Sequence, residues 1–301
     1  MKRIPFLLLA LCAAILVAPS AQARTEHYDR VIQKAFDASD LSRVLIHSEN
    51  LRVEGCDVDS VEIHAEFHVA ISGWYWGGTE FHDIEVRKSG QTLVITEIDK
   101  HDGILGIVVN RTTDNRFVVR IPQRLALEVH GEDGHILLHD LQSSIRVEFE
   151  DGHLEIRDTS SPNLRIHFED GSTTLYDFRG ALEAEFVDGK LRVSDSNLSA
   201  LRLRYSDGRA EFEAGIGGGG SYDVSLDDGR FEWTFPCSTA ATFEARVEDG
   251  SIRADFPGLD GDSDRRFFAH TLGSGGPLVE IDAQDGSIVL ETALEIKKQA
   301  E

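Results

Sequence analysis

An Asp-Gly pair recurs along the chain, and its glycines stand at Gly134, Gly152, Gly171, Gly189, Gly208, Gly229, Gly250 and Gly286. The successive spacings are 18, 19, 18, 19, 21, 21 and 36 residues. Seven, five and three residues before each glycine the side chains are apolar, as in Ile145, Val147, Phe149 and Leu164, Ile166, Phe168, and Gly131 alone departs from this set. Two and four residues after it come mostly apolar residues again, such as Leu154, Ile156 and Leu191, Val193, while the positions between are charged or polar. Alternation with a period of two marks strands with one buried face. Each repeat therefore reads as strand, Asp-Gly turn, strand, second turn.

Glycine accepts positive φ at little cost, and an aspartate can hold a local backbone N–H, so Asp-Gly suits a sharp corner. A hairpin meander would space its turns irregularly and give both turns equal status. Here one corner recurs at the length of a single circuit around a narrow core. The pattern predicts an all-β fold, a single-stranded β-solenoid (β-helix-like) with about 18–21 residues per coil, each coil pairing with those above and below at about 4.8 Å. Phe149, Phe168 and Phe186 are expected one above another in a common interior file. Residues 131–294 hold the regular repeats. Residues 24–130 carry less regular strands, expected at Val31 to Phe36, Val44 to Val53, Val61 to Ile71, Ile84 to Arg87, Leu93 to Glu97 and Phe117 to Ile121, and are read as irregular coils and a cap over an otherwise open edge. Residues 257–277 form an excursion that lengthens the last step, and residues 295–301 are a polar tail.

The first 23 residues read as a cleaved secretory leader, with Lys2 and Arg3 before an apolar run from Ile4 to Val17 and Ala21-Gln22-Ala23 at the cleavage site. That run is too short to span a bilayer, and no second one follows, so no membrane insertion is expected after cleavage. Losing Lys2 and Arg3 with the leader takes the formal net charge from −23 to −25. Such a surface repels phosphate backbones and disfavours nucleic acid as a partner. Cys56 and Cys237 remain, many coils apart, and are expected as separate thiols.

The stretch RFVVRIPQRLALEVHGEDGHILLHDLQSSIRVEFEDGHLEIRDT, with RVLIHSENLRVEGCDVDSVEIHAEFHV upstream, resembles the bacterial β-strand-repeat family of unknown function grouped as adhesins, and more loosely the auto-transporter adhesin head domain. The likeness runs over roughly residues 40 to 292: a leader, an opening pair of strands, an Ile121-Pro122 step and stacked turns. It implies a β-strand-repeat fold and a binding or structural role. That family carries no agreed catalytic residues to transfer.

Several side chains invite functional readings. Asp140, Asp158, Asp177 and Asp195 each lie six residues after a repeat glycine and should stack as an acidic column, either as calcium ligands or as caps of their own turns. The basic residues after Asp-Gly, His135, His153, Lys190, Arg209 and Arg230, offset the charge of a second acidic column. Trp74, Tyr75 and Trp76, between glycines in SGWYWGGTEF, are read as a loop that binds a ligand or folds down as an apolar lid, and Phe267 and Phe268 are a weaker candidate of the same kind. His139, Arg157, Tyr176 and Arg192 are expected on one outer face, where a polysaccharide-cleaving solenoid would place such groups. No nucleophile–base motif, metal-ligand spacing or phosphate loop stands out. The sequence therefore predicts a non-enzymatic, exported, periplasmic or cell-surface binding or structural module without catalytic residues or a required cofactor, its protein or glycan partner unspecified. A calcium-dependent adhesion module and a polysaccharide-active β-helix enzyme are the alternatives.

Overall fold

The computed structural model describes residues 24–76, 79–102, 105–257, 259 and 266–293; the leader read at 1–23 and the tail 295–301 lie outside them, as do the side chains of residues 24, 74–81, 99–111 and 113. The described residues form strands and no helix. In chain order these are β1 (Arg24–Asp37), β2 (Arg43–His47), β3 (Asn50–Cys56), β4 (Ser60–Trp76), β5 (Thr79–Ser89), β6 (Thr92–Asp102) and β7 (Leu105–Pro122). Then come β8 (Ala126–Gly131), β9 (His135–His139), β10 (Ile145–Phe149), β11 (His153–Arg157), β12 (Ser160–Phe168), β13 (Ser172–Tyr176), β14 (Arg179–Phe186) and β15 (Lys190–Tyr205). The last are β16 (Arg209–Ile216), β17 (Tyr222–Leu226), β18 (Arg230–Phe235), β19 (Ala241–Asp255), β20 (Phe267–Leu272) and β21 (Leu278–Thr292).

The chain divides into two compact units, Met1–Ile32 with Ala65–Asp83 and Ile98–Arg116, and Gln33–His64 with Ile84–Glu97 and Phe117–Glu301. In the first, Ala65, Phe67, Val69 and Ile71 of β4 alternate into the interior. Tyr28 packs on Val69 and Ile71, and the buried His82 ring stacks on Phe67 at 5.2 Å.

The second unit is a solenoid-like stack. Strands one repeat apart pair in parallel and in register: Leu127 with Ile145, Ile145 with Leu164, Leu164 with Leu182, Leu182 with Leu201. The strands after the corner do the same, with Ile136, Leu154, Thr173, Leu191, Ala210 and Phe231 in one file. Apart from Gly131, all of the positions singled out by the period-two pattern in the eight repeats are buried. Phe149, Phe168, Phe186 and Tyr205 stack with ring centroids 5.4, 5.8 and 5.4 Å apart, as the pattern predicts.

All eight repeat glycines have positive φ. From Gly152 to Gly229, and again at Gly286, the N–H after the glycine bonds the glycine carbonyl of the neighbouring level, as from His153 to Gly134 at 2.9 Å and from Ser172 to Gly152 at 2.9 Å. A Cβ on Gly152 would lie 2.3 Å from the Gly134 oxygen, so these corners exclude a side chain.

Val44 to Val53, read as one strand, is two. The chain bends at Ser48 and Glu49, because that segment forms the same corner one level below Gly134: Glu49 O accepts from His135 N at 3.0 Å. Its Glu-Asn sequence hides the repeat.

Order in space departs from order in the chain at both ends of the stack. β2 lies between β6 and β8, and β3 between β7 and β9. At the other end β17 and β18 pair with β21, which pairs along its far side with β19 from Thr242–Leu278 to Asp255–Glu291. The last strand of the described residues therefore lies one level in from β19. The excursion read at 257–277 contains β20, which lies antiparallel on the outer edge of β19 and covers part of it.

Candidate functional site

Period two and in-register stacking together place outward side chains of consecutive levels side by side. After the glycine corner, His135, His153, Ser172, Lys190, Arg209 and Arg230 form one outward file. Two positions further on stand Leu137, Glu155, Thr174, Arg192, Glu211 and Glu232. Between Lys190 and Glu232 the two files interlock as ion pairs, with Arg192 on Glu211 at 2.6 Å, Arg209 on Glu211 at 2.5 Å and Arg209 on Glu232 at 3.1 Å. Burial works against the Glu211 charge, but the Arg192 hydrogen bond and the nearby cations outweigh it and hold the carboxyl below its ordinary value.

Two levels lower the same files bring His135, His153 and Glu155 together, with one donor atom from each lying within 4.8 Å of the others. The imidazole rings are 5.0 Å apart, and His135 Nε2 stands 3.9 Å from Glu155 Oε2. His153 Nδ1 shares a 2.7 Å hydrogen bond with Ser172 Oγ. Glu155 is mostly covered, and its Oε1 is held by Arg157. Burial and the neighbouring His153 lower the His135 pKa against the opposing pull of Glu155, which favours the neutral ring. Neutral imidazoles beside a carboxylate are donors for a divalent transition-metal cation. Sequence reasoning read the two histidines as charge partners for aspartate and missed this grouping. The signal was there: both follow a repeat glycine directly, and Glu155 lies two residues beyond the second.

Asp140, Asp158, Asp177 and Asp195 occupy the second corner, all with positive φ, at 59, 48, 47 and 49°. Their backbones tie levels together: Asp158 N donates to Tyr176 O at 3.1 Å and Asp177 N to Ser194 O at 3.2 Å. Asp140 meets His139 at 2.8 Å and Asp177 meets Arg179 at 2.8 Å. Among the described residues, the one group of three potential ligands close enough to hold an ion is the His135 cluster, not this column.

His139, Arg157, Tyr176 and Arg192 all point outward from the same stack of strands, as expected; the first three share one file, whose next member is Ser194, and Arg192 stands two residues earlier, in the Glu155 file. At the low end of the file Glu54 gathers Arg52 at 2.7 Å, Arg120 at 3.0 Å and His139 at 3.4 Å. Burial opposes the Glu54 charge, yet the Arg120 hydrogen bond and the Arg52 charge keep its carboxyl below the ordinary value. Trp74, Tyr75 and Trp76 do not lie in a loop: their backbones are the last three residues of β4, and their side chains lie outside the described residues. The strand runs on through Gly73 to Trp76. Phe267 and Phe268 alternate across β20, so only Phe267 is exposed. The Arg246 guanidinium sits 5.5 Å from the centre of its ring, beside a cleft of about 440 Å³ that Asp227, Glu248, Arg266 and Asp282 also line. Cys56 and Cys237 are separate thiols, and burial raises the pKa of the former.

No helix among the described residues is long and apolar enough to cross a membrane. A solved structure named as a "putative cell adhesion protein" from Clostridium sporogenes aligns with 90% of this chain and 100% of its own, at 9% identity and a TM-score of 0.27. Among curated proteins none matches the chain. A family model matches residues 49–291, and on that match the chain belongs to the Toastrack DUF4097 family, a family of unknown function.

Proposed function

We propose that this protein is an exported, non-enzymatic, adhesin-like binding or structural module of the cell envelope, built on a regular single-stranded β-solenoid of about 18–21 residues per coil. The observation that carries the reading is the in-register stacking of outward charged files from level to level, which presents a fixed lattice of ion-paired side chains to a protein or glycan surface. Rigid, repetitive surfaces of this kind suit extended partners. The resemblance of residues 40 to 292 to β-strand-repeat adhesins supports the same reading, and the leader-like first 23 residues support export.

Fractionation of the producing cell tests the location. The full chain is expected in the periplasm or at the surface, and a chain lacking residues 2–23 inside the cell; cytoplasmic retention of both would overturn export. Surface plasmon resonance against a panel of envelope glycans and proteins tests the role. Saturable binding without any release of new sugar ends fits a module, whereas cleavage of acidic glycans turns the assignment toward the polysaccharide-active alternative.

A calcium-dependent adhesion module is the second reading, and the aspartate column of the second corner is where it is open to test. Asparagine tolerates positive φ as aspartate does, so Asp158→Asn with Asp177→Asn removes charge and leaves the corners intact. A calcium-induced rise in melting temperature that disappears in this double variant would establish it. An equal response in both proteins would dismiss it.

A further inference from the structure

We propose that His135, His153 and Glu155 form a binding site for one divalent transition-metal ion of the zinc or copper class, on the outer face of β9 and β11. The reading goes beyond the binding-module function and does not depend on it. The donor set is two imidazoles and a carboxylate, the combination that imidazole-preferring cations take and that calcium, with its demand for six to eight oxygens, does not.

Geometry supports it. Ligand atoms around a tetrahedral zinc, with bonds of about 2.0 to 2.2 Å, lie roughly 3.3 Å apart. The three donors already stand within 4.8 Å of each other. The remaining closure falls to His135, whose side chain is 52% exposed. The other two are held from behind. Ser172 Oγ accepts the Nδ1 proton of His153 in the tautomer that bares the Nε2 lone pair, which is how ligating histidines are usually oriented. Arg157 occupies Oε1 of Glu155 and leaves Oε2, the oxygen that faces His135 Nε2. Three protein donors leave a fourth position on the exposed side for water. The chain's net charge of −23 raises the local concentration of cations.

Within these two files, among the described residues, the grouping occurs once. His135 and His153 are adjacent levels of one column, and the level above carries Ser172, followed by Lys190. Thr174 and Leu137 flank Glu155 in the second file, so no other pair of levels brings two imidazoles and a carboxylate together there.

The test uses the purified protein without a histidine tag, titrated with zinc by isothermal calorimetry. One ion per chain is expected. His153→Ala and Glu155→Gln should each weaken binding, and Ser172→Ala, which acts only through His153, should weaken it by about 10- to 100-fold. His167→Ala, on another strand, should leave it unchanged. Absence of saturable zinc uptake, or uptake equal in wild type and His153→Ala, overturns the proposal. Should a variant fail to fold, copper bound to the unaltered protein decides: a paramagnetic resonance spectrum split by two imidazole nitrogens supports the site, and one split by fewer refutes it.

Discussion

At the scale of single residues, Gly131 and Thr173 show how tightly a narrow interior dictates identity. Gly131 breaks the apolar file because the Phe149 ring fills its space: a Cβ there would lie 2.3 Å from Phe149 Cε2 and 2.9 Å from Ser48 O. The ring cannot retreat, since Phe168 stacks on its other side at 5.4 Å. Gly131→Ala should therefore cost about 1–3 kcal/mol, read as a lower urea midpoint with unchanged slope. Thr173 stands between Leu154 and Leu191 with its hydroxyl buried and without a hydrogen-bond partner. Thr173→Val removes the desolvated hydroxyl while keeping the branched shape, and should raise stability by about 1 kcal/mol in the same assay. If the midpoint falls instead, the hydroxyl has a partner and this account of the site is wrong.

At the scale of the element, the register was legible in the sequence and the order of the levels was not. The alternation around each Asp-Gly states which residues face inward, and the structure agrees from Leu127 to Leu290. It says nothing about which level lies next to which. Phe243, Ala245 and Val247 are as apolar as Val279, Ile281 and Ala283, so either set could sit on β17. The 36-residue step signalled only an insertion, whereas β21 turns back to fill the level between β18 and β19. The His135 cluster was partly legible: the repeat puts both histidines in one file, but their role depends on Glu155 and Ser172 closing around them. The corner at Glu49 was not legible at all, having neither aspartate nor glycine. The interleaving carries its own expectation. Terminal strands usually fray, but β21 is paired on both sides, so its amides should exchange with solvent as slowly as those of β12. β20, paired with β19 along one edge, should exchange faster. Rapid exchange throughout Val279 to Leu290 would contradict the placement of β21.

At the scale of the molecule, three carboxylates and two imidazoles are shifted downward, while the hydrogen bond to Asp29 raises His68. Glu54, Glu148 and Glu211 are held below the ordinary value of 4.5, so the stability they contribute is present above that value and is lost as pH falls through their lowered values. His47 and His135 are also lowered from 6.5, chiefly by burial, so they bind a proton more weakly when folded; their contribution is present above 6.5 and disappears as pH falls below it. Melting temperature should thus decline in two stages on acidification, beginning below about pH 6.5 and steepening below about pH 4.5. A single decline confined to the carboxylate range would show that the two histidines are not disfavoured as cations in the folded chain.

The displaced levels at the two ends also constrain how such a chain can lengthen over evolutionary time. A repeat added directly after β21 would start from a strand already flanked on both sides, with no edge there to receive it. A tandem duplication between Gly152 and Gly208 meets no such obstacle, because each new level finds a parallel neighbour above and below and both interlocked ends are carried along unchanged. The middle of the stack is thus open to growth where the strand after the last repeat is not.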